Sequence, residues 1–301
     1  MSDTDVVVVG GINADVTGRS AEELVPGTSN PGTISITPGG AGRNIAEALA
    51  RLGVRSRLVG TIGDDEFGRA VLARSIEAGV DVTGVVTIEE NTGVYLTVVD
   101  EDGTMHVSIS DMPGAARTDA AFVSAALAGV SSAAAVVVDT NVPTEAITAT
   151  LQWAAAHGVR SIVQVVSVPK VRRLVGVDAR ADWIIMNVDE YVAFAAACKD
   201  RSVVHADTAL VTRGAQGVDR VSLSSGKSVT YPAFVARVTD ENGAGDAFTA
   251  GFCAGITAGD DIEAAVRMGA ATAALTVESV GTVPSDLTLA AVEQFPRGRG
   301  S

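Results

Sequence analysis

Asn242-Gly243-Ala244-Gly245-Asp246-Ala247-Phe248 lies where a strand-like run, Ser228 to Val238, gives way to a long apolar helical pattern beginning near Asp246. Gly-Ala-Gly at such a junction leaves successive backbone N–H groups uncovered by side chains, at the positive end of a helix dipole. That is a cradle for an anion. An aspartate at the rim of an anion cradle is electrostatically unfavourable unless it has a task. The task that fits is to accept a proton from a hydroxyl attacking a phosphate held there. A helix cap supplied by Asp246 is the other reading of the same residues, so the rest of the chain has to decide.

Working outward, the C-terminal part alternates strand and helix. Val136 to Val138 precedes a helix from Thr144, Ser161 to Val165 follows, then Trp183 to Met186 with a helix from Asp189, then Ala209 to Thr212 and the Gly243 junction. Nearer the N-terminus, Val6 to Gly10 reads as a buried strand, Asn44 to Leu52 as a helix, Arg57 to Thr61 as a strand and Asp65 to Ala78 as a helix. Strands spaced by helices imply an α/β fold with a mostly parallel central sheet covered on both faces, a three-layer sandwich. Two stretches break the rhythm. Residues 12–37 carry short alternations, and residues 91–112 alternate around Asp100-Glu101-Asp102-Gly103 as an antiparallel hairpin. They are expected to form a small β-sheet lid over the carboxyl ends of the main strands, where open α/β sheets bind ligands. With no repeat or linker in view, 1–301 is expected to be a single domain.

Composition narrows the partners. Hydrophobic residues make up 47% of the 301 and aromatics only 4%, so the core must be built mainly from Val, Ala, Leu and Ile. The net charge of −14 argues against nucleic acid as the main partner; a solvated acidic face accounts for the excess carboxylates. Cys198 and Cys253 are too few for a disulfide framework. No signal peptide or uninterrupted membrane-length apolar run is visible, so a soluble cytoplasmic location is expected. His106, His157 and His205 are scattered and suggest no metal-ligand spacing.

Four further junctions fall at the carboxyl edge in this arrangement. Asn13 and Asp15 follow the first strand, an amide and a carboxylate able to bind vicinal hydroxyls or to close an Asx turn. Gly39-Gly40-Ala41-Gly42-Arg43-Asn44 permits close approach of a ligand to bare backbone, or is a plain loop-to-helix turn. Asn187 and Glu190 face the same side of a first helical turn, where they can order a hydrated Mg²⁺ or form a capping box. Thr212-Arg213-Gly214-Ala215-Gln216-Gly217 offers a hydroxyl and two glycines to a nucleotide.

Together these residues resemble the ribokinase-like, PfkB family of carbohydrate kinases, over essentially the whole chain. The family's Gly-Gly motif is matched by Gly39-Gly40 with Asn44, its Asn-x-x-Glu by Asn187 and Glu190, and its Thr-x-Gly-x-x-Gly by Thr212, Gly214 and Gly217. Its C-terminal signature is matched by Asp240 to Asp246, with Glu241 standing where the family has threonine. Within the family, residues 29–53, Ile109-Ser110-Asp111-Met112 and Asp139-Thr140-Asn141-Val142 resemble the pseudouridine kinase subgroup, as do Ser167 and Lys170; Gln164-Val165 replaces that subgroup's Asp-Pro.

The resemblance implies a site. Asp246 would be the general base, with N–H groups of Gly243, Ala244 and Gly245 stabilising the transferred phosphoryl. Asp15 and Asn44 would hold the ribose hydroxyls, with Asn13 beside them and Gly39 and Gly40 giving close backbone approach; Asn30, Ser110, Asp111, Met112 and Asn141 would wall the base, and Lys170 would reach an anionic or carbonyl group of the substrate. Asn187, Thr212, Gly214 and Gly217 would contact ATP, Glu190 would hold Mg²⁺ through water, and Asp240 would be the candidate for a K⁺-like ion. The implied reaction is ATP-dependent phosphorylation of the 5′-hydroxyl of pseudouridine. Its rivals are a kinase for another nucleoside or sugar (ribose, adenosine, a hexose) and a catalytically silent ligand-binding homologue. Exposed lid edges suggest a homodimer through the lid.

Overall fold

The computed structural model describes residues 4–200 and 203–298. In chain order the elements begin β1 (Val6–Val9), β2 (Asn13–Ser20), β3 (Gly32–Gly39), α1 (Ala41–Arg51), β4 (Ser56–Gly63), α2 (Glu66–Glu77) and β5 (Asp81–Ile88). The middle holds β6 (Gly93–Val99), β7 (Met105–Asp111), α3 (Ala120–Ala128), β8 (Ala135–Asp139), α4 (Thr144–His157) and β9 (Arg160–Gln164). The remainder is β10 (Arg180–Asn187), α5 (Val188–Asp200), β11 (His205–Thr212), β12 (Val218–Ser222), β13 (Ser228–Tyr231), α6 (Ala244–Ala258), α7 (Ile262–Thr276) and α8 (Leu289–Gly298).

Four consecutive valines make β1, and such a run suits only a strand buried on both faces. Val6 and Val8 enter the apolar layer beneath α1, α6 and α7, with Ile45, Leu49, Phe248, Phe252 and Ala265. Val7 and Val9 enter the opposite layer with Leu127, Ile147, Leu151 and Phe194 from α3, α4 and α5. The main sheet is ordered β13-β12-β11-β10-β9-β8-β1-β4-β5, parallel from β11 through β5, with β12 and β13 antiparallel at one edge. This is the expected α/β sandwich.

The smaller sheet is ordered β3-β2-β6-β7, so the two irregular stretches do pair into a lid. Its base is tied down locally. Asp65 caps α2 by accepting from the Gly68 N–H at 2.8 Å and also accepts from the Thr92 N–H at 2.7 Å, just before β6. One carboxylate therefore fixes both the start of a core helix and the root of the lid.

Several boundaries differ from those the sequence suggests. The run from Ser228 stops being strand at Tyr231, because Pro232 has no N–H to give the ladder. Helix α6 starts at Ala244 and α1 at Ala41, two and three residues earlier than the apolar pattern, whose periodicity does not extend into the small and polar residues of the first turn. Strands β5 and β12 carry no clean alternation because both lie near the margins of the sheet.

Phe252 is fully buried on α6, edge-on to Trp183 at 5.5 Å and stacked on Phe248 at 6.4 Å. Phe252→Ala should lower the free energy of unfolding by about 3–5 kcal/mol, read from the urea midpoint; a loss below about 1 kcal/mol would show that this layer collapses around the vacancy.

Candidate active site

Asp246 reaches the site because α6 begins two residues before it. Gly243, the residue preceding the helix, has φ 79°, and a Cβ there would overlap the carbonyl oxygen of Thr282. Only glycine fits on both counts. No side chain caps this helix end, so its first-turn amides are open to an external acceptor. Among the described residues, the Ala244 N–H lies 3.3 Å from the Glu241 carbonyl, whereas those of Gly243 and Gly245 have no such bond. Of the three predicted donors, two are therefore free without rearrangement.

The carboxylate of Asp246 accepts from Asn44 Nδ2 at 2.8 Å. Removal from water pushes its pKa up to about 7, and the nearby carboxylates of Asp139 and Asp15 push the same way, against Asn44 and the guanidinium of Arg43. Such a group is balanced between holding and releasing a proton near neutral pH, which suits a general base.

Asn44 stands on the first turn of α1, which is likewise uncapped by a side chain and preceded by Gly40 at φ 96°. Gly39 pairs with Asn13 across β3 and β2, and a Cβ on Gly39 would occupy the space of the Asp15 carboxylate. Asn13 Nδ2 donates to Asp15 Oδ1 at 2.7 Å. Burial raises the pKa of Asp15, opposed by that bond and by Arg43. Asn13, Asp15, Gly39, Gly40, Asn44 and Asp246 thus form one continuous wall.

Beside it is a cavity of about 210 Å³ between the lid and the carboxyl ends of β1, β4 and β8. Asn13, Ser110, Met112, Asn141 and Lys170 of the predicted set line it, with apolar Ile12, Ile62, Ile88 and Val142. Lys170 Nζ donates to the Asn141 side-chain oxygen Oδ1, and burial lowers the lysine's pKa, opposed by Asp139.

Asp111 and Asn30 are placed elsewhere. Ser110 pairs with Tyr95 and Asp111 with Val94, so adjacent residues on β7 address opposite faces of the lid, and Ser110 alone shares the face of Asp15. The alternation Val107, Ile109, Asp111 carries this signal in the sequence. Asn30 closes its own turn, accepting from the Val25 N–H at 2.8 Å and donating to the Val25 and Thr28 carbonyls.

Asn187 and Glu190 form the capping box: the Glu190 N–H donates to Asn187 Oδ1 at 2.9 Å and the Asn187 N–H to Glu190 Oε2 at 2.8 Å. Burial raises the pKa of Glu190. In the parallel register Asn187 stands beside Thr212, with Gly214 and Gly217 in the turn beyond, so the predicted nucleotide residues continue the same sheet edge. Asp240 staples two loops, accepting from the N–H groups of Asn242 at 3.0 Å and Gly281 at 3.1 Å.

Asp139 escaped the sequence reading as a site residue. It is fully buried at the end of β8, and its two oxygens accept from the N–H groups of Gly11 (2.9 Å) and Asn141 (2.7 Å). Burial raises its pKa. Its place at a strand's carboxyl end was the available signal. Thr61, Asn91, Gly114, Thr118 and Arg173, also in the cavity wall, were missed too; Gly114 and Thr118 arrive from a loop whose path local patterning does not define.

A parallel sheet with helices on both faces, a lid over its carboxyl edge and a half-buried carboxylate at an open helix N-terminus define the architecture of a small-molecule kinase. The pfkB carbohydrate kinase family model matches residues 3–289, and the chain belongs to that family. Its reaction class is accordingly phosphoryl transfer to an alcohol. The chain is 38% identical to the pseudouridine kinase of Escherichia coli over 143 residues, 47% of this chain and 46% of that protein. It is 28% identical to the ribokinase of Schizosaccharomyces pombe over 96% of both chains. A structure titled as Arabidopsis thaliana ribokinase complexed with ribose and ATP superposes with a TM-score of 0.79 at 22% identity, over 98% of this chain and 99% of that one, a likeness of fold. Among the described residues no helix is long and apolar enough to cross a membrane.

The raised pKa of Asp246 has a consequence for stability. Its folded value of about 7 exceeds the ordinary 3.8, so the folded state holds the proton more tightly and stability falls as pH rises through that interval. Asp246→Asn should therefore be more stable than the parent at about pH 8 by roughly 0.5–2 kcal/mol, with the gain shrinking toward about pH 5. Parallel melting curves at both pH values check this; a gain independent of pH would mean that the carboxylate is not strained by burial.

Proposed function

We propose that the protein transfers the γ-phosphoryl group of ATP to the ribose 5′-hydroxyl of pseudouridine. The observation that carries this reading is the cavity shared by lid and sheet, in which the Asn13 and Asn141 amides, the Ser110 hydroxyl and the Lys170 ammonium ring an apolar interior. That mixture suits a flat, carbonyl-rich heterocycle, which needs donors at its rim and apolar contact on its faces. The likeness to the E. coli pseudouridine kinase supports the same acceptor.

In this mechanism Asp15 and Asn13 hold the ribose hydroxyls and Asn44 keeps Asp246 aimed. Asp246 takes the proton of the 5′-hydroxyl as that oxygen bonds to the γ-phosphorus and the bond to the β-phosphate oxygen breaks, releasing ADP. The free amides at the start of α6 stabilise the charge on the transferred group. A Mg²⁺ ion would neutralise the phosphates, and Glu190 fits it: one carboxylate oxygen is taken by the capping box, leaving Oε1 for a hydrated ion of the kind that needs only one or two carboxylates. Closure of the lid would exclude water from the acceptor.

Asp246→Ala should lower kcat by roughly 10²–10⁴ with acceptor binding retained in calorimetry. A panel of pseudouridine, uridine, ribose, adenosine and a hexose should give the highest kcat/KM for pseudouridine. Higher efficiency with ribose or adenosine would replace this acceptor, and no turnover of any acceptor would favour a silent binding homologue.

The lid supports a homodimer. Ile36, Val16, Leu96 and Ile109 form one cross-strand row, and Ile34, Gly18, Val98 and Val107 the next, on the face turned away from Asp15. Ile34 is 76% exposed and Ile109 58%, an apolar face flanked by two open strand edges. Light scattering should give the mass of a dimer for the parent and of a monomer for Ile36→Asp/Ile109→Asp; a monomeric parent would remove the interface.

A further inference from the structure

Arg43 is 2% exposed and is among the largest fully buried side chains of the protein. A buried guanidinium is costly unless its donors are met. Arg43 Nη1 meets Glu47, whose other oxygen takes two bonds from Arg51, at 2.8 Å and 2.6 Å. Arg51 in turn donates to the Ser285 carbonyl at 2.6 Å. Residues 43, 47 and 51 thus run along one face of α1 as alternating charges and join that helix to the loop that contains Thr282.

The other end of the guanidinium does something that a structural ion pair does not require. Arg43 Nη2 donates to the Pro38 carbonyl at 3.0 Å, in the last turn of lid strand β3, and to the side-chain oxygen of Asn44. The Thr282 hydroxyl donates to that same Asn44 oxygen at 3.2 Å and lies 3.3 Å from Arg43 Nη2. Arginine has no acceptor, so the Asn44 atom facing it must be the oxygen. The amide nitrogen is then committed to Asp246. Asparagine could otherwise turn its oxygen toward Asp246, where two acceptors would repel. Among the described residues the Nε–H of Arg43 has no partner, so the side chain is held for the contacts at its tip.

We propose that Arg43 is a positioning residue for phosphoryl transfer: with Thr282 it fixes the amide of Asn44 so that its N–H₂ faces the Asp246 carboxylate, and it links that pair to the hinge of the lid at Pro38. The inference rests on Asp246 being the base, and not on which acceptor is used. The charged groups that face Asp246 are Asp139 on β8, Asp15 on β2 and Arg43 on α1. Removing Arg43 leaves two carboxylates and no cation, and so shifts the acid limb of the rate profile upward.

The test compares the parent with Arg43→Met and Thr282→Val, using whichever acceptor the parent turns over best. Thr282→Val removes one donor from the Asn44 oxygen while leaving the buried ion pairs intact, and so stays informative if Arg43→Met does not fold. Both should lower kcat by about 10–100-fold, with KM for ATP little changed. In Arg43→Met the acid limb should move to higher pH, with much of kcat recovered in alkaline buffer. Titration of the Asp246 carboxyl by carbon-detected NMR should move the same way without any acceptor present. Unchanged kcat in Thr282→Val, or lowered kcat in Arg43→Met with the limb and the titration unmoved, would overturn the proposal. Asp246→Asn separates the two readings: full turnover in that variant removes the base itself, whereas its inactivity beside a normal Arg43→Met removes Arg43 alone.

Discussion

Three carboxylates, Asp15, Asp139 and Asp246, converge where the lid meets the carboxyl edge of the main sheet, and the fold has to keep them there largely out of water. Like charges in a poorly solvated place repel, and Asp139 and Asp15 both push the pKa of Asp246 upward. The arrangement persists because every one has a dedicated donor. Asp139 has the backbone N–H groups of Gly11 and Asn141, Asp15 has Asn13, and Asp246 has Asn44. Asp139 is the most deeply set and has the most rigid partners. It fixes the turn after β1, and with it the neighbourhood of Asn13.

This constraint accounts for the bare backbone around the site. Two carboxylates lie where neighbouring residues would otherwise carry side chains: a Cβ on Gly10 would overlap Asp139, and one on Gly39 would overlap Asp15. Glycine is required there by the bulk of an adjacent acid, as much as by any ligand. At Gly243 the requirement comes instead from the positive φ and the Thr282 carbonyl. The loop bearing Thr282 therefore shapes the start of α6 through its backbone and holds the Asn44 amide through its hydroxyl.

What could be read from the chain follows from how local each cause is. The glycines before α6, the valine run of β1 and the alternation of β6 and β7 are determined within a few residues, and the elements fall where these patterns place them. Asn187 and Glu190 were also legible as a capping box, since both bonds close within four residues. The role of Arg43 was not legible. Its partners include Thr282, which lies 239 positions away, and no local pattern distinguishes a buried arginine from a solvated one. Asp111 is an intermediate case: its face follows from the period of two, but the likeness of Ser110-Asp111-Met112 to a subgroup motif suggested a shared role for residues that a strand sends to opposite sides.

The division of labour at the site follows the same line. Residues whose cause is local leave the first turns of α1 and α6 without a side-chain cap. Residues brought together only by tertiary structure, from lid strand β2, the end of β8 and the loop around Thr282, surround Asp246 and its partner Asn44. Gln164, which stands where the subgroup that the sequence resembles has aspartate, shows how such a difference is absorbed there. Its side-chain oxygen accepts from the Thr249 hydroxyl, which also donates to the Gly245 carbonyl at 3.0 Å, and its amide donates to the Val165 carbonyl at 3.1 Å. A carboxylate at that position would add another negative charge to a region that already confines three. A neutral amide supports the first turn of α6 from beneath without raising the pKa of Asp246 further. The neutral amide of Gln164 therefore spares the site a further negative charge and leaves Asp246 and its partners undisturbed.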